Sequence, residues 1–327
     1  MRYFIAIPTY NGGRIWKDVV DNIQKYAPPE STVHIIDSSS NDDTVSIAKN
    51  AGFLVKVIAS SDFNHGGTRN LAVNDHAEDY DVVIFLTQDA IPEAGFIDKI
   101  TSAFEDPNVA CAWGRQLPHK DANPIARHAR FFNYPAESHT CSLEDSAVLG
   151  LKTVFMSNSF SAYRIKVFQE LGGFPSNTIL CEDMYFTAKA ILSGYKVAYV
   201  ADAVVHHSHN YLPMEEFRRY FDIGVFHCDE PWIRDSFGGA GNEGKKFIIS
   251  ESYYLFKNGK LYLPVAFINN LMKFLGYKLG QKYKYLPNSL IKFCSMHKRF
   301  WKFYNELLIC YQTKQVNFYS YRSYILN

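Results

Sequence analysis

The 327-residue sequence has almost no net charge: 34 lysine and arginine residues face 33 aspartate and glutamate residues, a formal +1. Global charge therefore argues for neither nucleic acid nor an acidic partner, and any electrostatic function must be local. Cysteine is sparse and scattered. The six residues, Cys111, Cys141, Cys181, Cys228, Cys294 and Cys310, form no C-x-x-C pair, which argues against a zinc ribbon, a dithiol redox motif and a secreted disulfide scaffold. Reduced, mostly buried thiols in a cytosolic protein fit this pattern. No window reaches the ~18 apolar residues of a membrane-spanning helix. The N-terminal MRYFIAIPTYNGG holds too short an apolar run for a signal peptide, so the chain is expected to stay in the cytoplasm. Repeats and low-complexity tracts are absent. What is present is 47% hydrophobic residues, enough for one large domain or two modest ones.

Short β-rich runs alternate with amphipathic ones over the first two hundred residues: YFIAIP before 14–26, TVHIID before 42–51, FLVKVIA before 67–77 and DVVIFL before 93–105. Such alternation predicts right-handed βαβ units, a mostly parallel sheet and helices on both faces, an α/β fold. Ligands of these sheets bind at the carboxyl ends of the strands. Polar clusters stand at those ends: Pro8, Thr9, Tyr10 and Asn11 after the first run, Asp37 to Ser40 after the second, Gln88 and Asp89 after the fourth. Asp89 taken alone can be a helix cap. Asp37 ends a second strand, and because Ser40 or Asp42 can cap the next helix, Asp37 is expected to be free to accept a nucleobase N–H. Two strand-end carboxylates then suggest one pocket.

Nine segments now form a recognisable series: IPTYN (7–11), IIDSSSNDDT (35–44), FNHGGTRN (63–70), TQDAIP (87–92), NSFSAYR (158–164), LGGFP (171–175), CEDMYF (181–186), HHSHNY (206–211) and FRRYFDIGVFH (217–227). In this order they resemble the inverting family 2 glycosyltransferases, and within them the rhamnosyltransferases of bacterial surface-polysaccharide synthesis. The resemblance covers roughly residues 1–250. It implies a GT-A-like nucleotide-binding domain that transfers a sugar, L-rhamnose from dTDP-β-L-rhamnose, to a lipid-linked saccharide. Another UDP- or dTDP-sugar donor, and an inactive sugar-nucleotide-binding or scaffold protein, are the alternatives.

The resemblance also implies roles for residues. Asp89 stands at the family's metal-binding D-x-D element, which here reads Thr87-Gln88-Asp89. One carboxylate can suffice for Mg2+ or Mn2+, because phosphate oxygens and waters complete the octahedron. A histidine after the A-x-V strand end is the implied second ligand, His207 first and His209 next. Imidazole favours Mn2+, and no nearby Cys or Glu completes a zinc set. In CEDMYF the carboxylates open a helix, where the macrodipole favours negative charge and a purely structural cap is the plain alternative. The resemblance makes Asp183 the catalytic base and Glu182 its support. An inverting displacement needs one base.

Further donor contacts are expected from Arg69 at a helix start and from backbone approach at His65-Gly66-Gly67. Trp113, Arg115 and Asn158 are expected to line the acceptor or sugar pocket. Arg218 and Arg219 are either exposed helix residues or diphosphate contacts. Residues 239–244 satisfy G-x-G-x-x-G, but they follow no clear strand, so a loop is expected rather than a dinucleotide site. The composition changes near residue 257: to Lys302 there are ten basic residues and no acidic one, interleaved with bulky apolar residues. This pattern fits helices lying in an anionic membrane interface on the inner face of the cell membrane, or a helical subdomain with a solvated basic face. The expected division is therefore 1–212 for the transferase domain and 213–327 for the helical region.

Overall fold

A computed structural model describes residues 1–239 and 241–301. The chain opens with β1 (Tyr3–Thr9), α1 (Gly13–Tyr26), β2 (Thr32–Asp37), α2 (Thr44–Asn50), β3 (Leu54–Val57), α3 (His65–Asn74) and β4 (Val82–Leu86). Next come β5 (Ile91–Pro92), α4 (Phe96–Thr101), β6 (Val109–Leu117), α5 (Pro124–Asn133), β7 (His139–Cys141), α6 (Ser146–Leu149), β8 (Phe160–Arg164), α7 (Ile165–Glu170), α8 (Glu182–Leu192) and β9 (Lys196–His206). Five helices close the described chain: α9 (Pro213–Asp229), α10 (Pro231–Phe237), α11 (Glu243–Asn258), α12 (Leu263–Gly280) and α13 (Asn288–Cys294).

The strands form one mixed sheet in the order β3-β2-β1-β4-β8-β6-β9-β5, with β7 paired to β9. The half read from the alternation of strands and helices, β3-β2-β1-β4, is parallel. Beyond it β8 enters antiparallel against β4 and β6. Apolar residues on both faces explain the central position of β1 and β4. Phe4, Ala6, Val83 and Phe85 feed one core, and Ile5, Ile7, Val82, Ile84 and Leu86 feed the other, as alternation in a doubly covered strand requires. Helix α1 covers the second core with Trp16, Val19, Val20 and Ile23, spaced as one helical stripe.

The order in which strands are added to the sheet reverses between β1 and β4, since β2 and β3 lie on one side of β1 and β4 on the other. A switch of this kind opens a crevice at the carboxyl ends of the two strands. Strand β9 runs on past YKVAYV to His206, staying parallel to β6 through a register shift at Gly114/Arg115. The longer strand delivers the histidine cluster to the same edge.

The core does not break at residue 212. Phe221, Val225 and Phe226 of α9, Ile233 and Phe237 of α10, then Tyr283, Ile291, Cys294 and Trp301 belong to the same apolar cluster as Phe4 and Phe85. The G-x-G-x-x-G run follows α10 rather than a strand, and its Glu243 and Gly244 begin α11. Cys310 and Lys302 lie outside the described residues.

Candidate active site

The loops after β1, β2 and β4 meet at the crevice. Asp37 is fully buried and accepts from Thr9 Oγ1 (2.8 Å), the Ser40 amide (2.8 Å) and Ser40 Oγ (2.6 Å). Its carboxylate, expected to stand free for a nucleobase, thus already holds three protein donors and shapes the 37–41 loop from inside. Asp42 accepts from the Thr44 amide at the start of α2 (3.1 Å), but the N-cap position belongs to Asp43, whose side chain makes no cap hydrogen bond. Gln88, expected to touch a donor, instead clamps its neighbour strand. Its Oε1 accepts from the Tyr10 amide (2.7 Å) and its Nε2 donates to the Tyr10 carbonyl (3.1 Å). The Tyr10 ring is left accessible, and Asn11 takes a left-handed φ of 47° while its Oδ1 accepts from the Asn41 amide. Pro8 is the penultimate β1 residue and pairs with Ile36.

Asp89 follows β4 and meets two histidines beyond β9. Its Oδ2 lies 3.4 Å from His207 Nε2 and 3.6 Å from His209 Nε2. One donor atom from each of the three residues falls within 4.8 Å of the others. Burial pushes the Asp89 carboxyl up, but His207 and then His209 outweigh it and hold it well below the usual carboxylate range. Burial, reinforced by His207, pushes His209 down to about 4. The carboxylate and the two imidazole nitrogens converge closely enough for one cation to take an electron pair from each. The set fits a divalent ion that accepts oxygen and imidazole ligands. Gln116, fully buried on β6, holds His207 from behind, with its Oε1 2.9 Å from His207 Nδ1.

The second constellation lies at the start of α8. Cys181 precedes the helix with φ 60°, a left-handed conformation uncommon for a residue with a side chain. The turn sets Glu182 and Asp183 side by side with different partners. Glu182 is paired with Arg69 (3.1 Å) and accepts from Asn158 Nδ2 (2.9 Å). Asp183 accepts backbone amides only, from Asn158 (3.1 Å) and Met184 (2.8 Å). Burial raises the proton affinity of both, but for Glu182 the Arg69 charge outweighs it and the carboxyl ends low. Asp183 is pushed up to about 7 by burial and then by the neighbouring Glu182 charge. Two adjacent carboxylates are thereby separated into a permanent anion and a group that changes protonation near neutrality, the division that acid–base chemistry uses.

Several other expected contacts are held by the protein itself. Arg69 is buried against Glu182 and bonds the His65 carbonyl (2.9 Å), so its charge is engaged rather than presented to a phosphate. Asn158 does not line a sugar pocket: beyond its two bonds to the carboxylates, its Oδ1 accepts from Ser161 Oγ and Tyr163 Oη. Trp113 is buried among His139, Phe155 and Tyr199. Arg115 donates from Nε to the Tyr134 carbonyl (3.2 Å). Gly66 is required by chain packing, since an added Cβ would lie 2.1 Å from the Pro175 carbonyl oxygen. Of the two arginines of α9, Arg218 donates to the Phe293 carbonyl (3.2 Å). Arg219 lies over Tyr211 (5.7 Å), whose ring packs on His209 (5.0 Å).

Some residues at the site escape sequence reasoning. The segment after α13 folds back onto the crevice: Asp222 of α9 accepts from the Met296 and His297 amides (2.9 and 3.0 Å). His297 then meets His65 (3.4 Å), and the Arg299 guanidinium stands over the Tyr10 ring (5.1 Å). These contacts join positions 232 and 289 apart, beyond any local pattern. Gln116 did carry a signal, a polar residue in an apolar strand beside a strand of the same sheet that ends in histidines.

Comparison with known proteins places this architecture. The GT-A-like fold is shared with the mannosyltransferase PcManGT from Pyrobaculum calidifontis, solved with GDP-Man and Mn2+ (TM-score 0.53, 19% identity, 91% of this chain and 84% of that one). It is shared too with S. aureus TarS 1-349 in complex with UDP-GlcNAc (TM-score 0.52, 14% identity, 87% and 91%). In sequence the chain is 53% identical to the O-antigen chain rhamnosyltransferase RfbN of Salmonella typhimurium over 303 residues, 92% of this chain and 96% of that relative. It is 52% identical to the O-antigen chain rhamnosyltransferase WbaN of Salmonella anatum, over 91% of this chain and 95% of WbaN. Residues 4–172 match Glycosyl transferase family 2, and with strand ends, carboxylate pair and relatives in agreement, the chain belongs to that family.

Proposed function

We propose that the protein is an inverting, metal-dependent rhamnosyltransferase that moves L-rhamnose from dTDP-β-L-rhamnose to a lipid-linked saccharide in O-antigen synthesis. The observation that carries the chemistry is the divided carboxylate pair, Glu182 neutralised by Arg69 and Asp183 left with a raised proton affinity. The sugar is taken from the names of the two relatives that match over nearly the whole chain. Asp183 takes the proton of the acceptor hydroxyl as its oxygen attacks the anomeric carbon. The bond from that carbon to the diphosphate breaks on the opposite face, the electron pair leaves with the nucleoside diphosphate, and the β-linked donor becomes an α-linked product. Asp89, His207 and His209 would hold Mg2+ or Mn2+, which neutralises diphosphate charge. Arg219, beside Tyr211 and His209, supplies a further cation on the same side. Orientation of the two substrates contributes the rest of the rate gain.

The donor is tested by incubating purified protein with dTDP-rhamnose, UDP-glucose or dTDP-glucose and measuring nucleoside diphosphate release. Release from dTDP-rhamnose alone is expected. Turnover of UDP-glucose without turnover of dTDP-rhamnose would replace the donor, and release from none of the three would favour a binding or scaffold protein.

A lipid-linked acceptor calls for a membrane surface, and α12 supports one. Its inward seam is small or polar: Ala266, Asn269, Lys273, Gly276 and Gly280. Lys273 pairs there with Glu216 (3.2 Å). Added Cβ atoms at Gly276 and Gly280 would lie 2.2 and 2.0 Å from the Phe217 and Phe221 carbonyl oxygens of α9. The bulky residues point the other way. Phe267, Ile268, Leu271, Phe274 and Leu275 are exposed, Phe267 by 73%. An ordinary helix of a water-soluble domain has the reverse arrangement. Among the described residues no helix is long and apolar enough to cross a membrane, so this face would lie in the interface, with Lys257, Lys260 and Lys278 near anionic headgroups. The double substitution Phe267→Ser, Phe274→Ser removes exposed side chains only. It is expected to lower partitioning onto anionic vesicles at least about tenfold, because one buried Phe contributes roughly 1.5–3 kcal/mol. Sedimentation with vesicles measures this, and unchanged partitioning would reject the surface.

A further inference from the structure

The buried amide of Gln116 has a partner on each of its polar atoms. Its Oε1 accepts from Arg130 Nη1 (2.5 Å) and faces His207 Nδ1 (2.9 Å), and its Nε2 donates to Ser157 Oγ (2.8 Å). A guanidinium only donates, so the amide atom facing Arg130 must be the oxygen. That same atom faces His207. An amide oxygen only accepts, so Nδ1 must carry the proton, and a neutral imidazole has just one. The electron pair is then on Nε2, the nitrogen 3.4 Å from Asp89 Oδ2. We propose that Gln116, oriented by Arg130, is a positioning residue that fixes the Nδ1–H tautomer of His207 and keeps Nε2 available as a donor to a divalent cation.

Each member of the relay has a distinct task. If the Gln116 amide were turned over, its NH2 group would face Nδ1 and enforce the opposite tautomer, with the N–H aimed at Asp89. Arg130 forbids that flip, since its own N–H would then face an N–H. The Arg130 guanidinium is itself held over the Tyr134 ring (5.3 Å). Metal-bound histidines commonly donate their second nitrogen to a carboxylate, a carbonyl or water, which fixes the ring and raises its basicity. A neutral amide provides the orientation with less added basicity. That suits a site whose three residues would hold a divalent ion together with a diphosphate.

The proposal rests on the metal-site reading above, and two measurements separate the two. In metal-free, 15N-histidine-labelled protein, long-range 1H–15N spectra are expected to show His207 with Nδ1 protonated, the signals being assigned through a His207→Asn sample. Mn2+ binding, followed by the electron paramagnetic resonance signal of free aqueous Mn2+, is expected to weaken about 10–100-fold in Gln116→Leu. Gln116→Glu, which keeps an acceptor, should bind Mn2+ at least as well as the wild type. Arg130→Met should populate both tautomers, and Arg130→Lys should restore one. Near-UV circular dichroism confirms the fold of each variant, and the wild-type spectrum needs no variant at all. An Nε2–H tautomer in the wild type, or wild-type Mn2+ affinity in folded Gln116→Leu, would overturn the relay. Nδ1–H protein that binds no Mn2+ would overturn the metal reading and leave the tautomer assignment standing.

Discussion

Asp183→Asn is expected to slow sugar transfer about 10^2–10^4-fold, the range contributed by a positioned general base, while donor binding changes only a few-fold. The Asn158 and Met184 amides donate to different oxygens of Asp183 (3.1 and 2.8 Å). The asparagine keeps one of these acceptors and the shape of the side chain but loses the ability to take a proton, and near-UV circular dichroism checks that the fold persists. The same residue sets the pH dependence. The base works unprotonated, and burial with the Glu182 charge pushes Asp183 up to about 7. The rate should therefore rise with pH toward 7, level off above it, and fall as acid protonates the base. Steady-state kinetics between pH 5.5 and 9 on wild type and variant would test both points. Near-normal turnover of Asp183→Asn, or a wild-type profile flat across neutrality, would remove Asp183 from this role.

The next largest effect is expected at Asp89. Asp89→Ala takes away the single carboxylate among the three converging donors and leaves two imidazoles, a poor set for a hard cation. Loss of one preorganised electrostatic contact to a leaving group lowers kcat by about 10^2–10^3. Metal-dependent affinity for the nucleotide should fall as well. Calorimetry of the nucleoside diphosphate with and without Mn2+ measures this directly: in wild type the ion should tighten binding, and in Asp89→Ala the two titrations should coincide. An undiminished metal effect in the variant would take Asp89 out of the ligand set. His207→Ala should resemble Asp89→Ala more closely than His209→Ala does, because His207 is buried and held from behind while His209 is half-buried at the rim.

These expectations also show how unequal the residues of one motif can be. TQD reads as a shortened carboxylate motif, yet Gln88 is a structural clamp on the Tyr10 backbone and Asp89 alone faces the histidines. Arg69, a plausible phosphate contact by position, is buried against Glu182. Removing it would strand a charge out of water, a situation that typically costs about 3–5 kcal/mol. Asn158 likewise organises both carboxylates instead of meeting sugar. In each case the side chain is of the expected chemical type, but a nearer partner within the chain engages it.

Local sequence was sufficient for whatever depends on neighbouring residues: strands buried on both faces from unbroken apolar runs, helices from their stripes, and a ligand edge from polar residues at three strand ends. The carboxylate pair and the histidine cluster were legible for the same reason, since each is contiguous in the chain. Only the tertiary structure decided which of these groups face one another. The antiparallel entry of β8 brings Asn158 beside the α8 start. The extension of β9 sets His207 against Asp89 and Gln116. Asp222 draws the segment after α13 back to His65 and Tyr10, so the helical region is part of the site's surroundings instead of a separate tail. Pairing across such distances is set by sheet register and by the burial of polar groups that must find partners, and neither leaves a periodic trace in the chain.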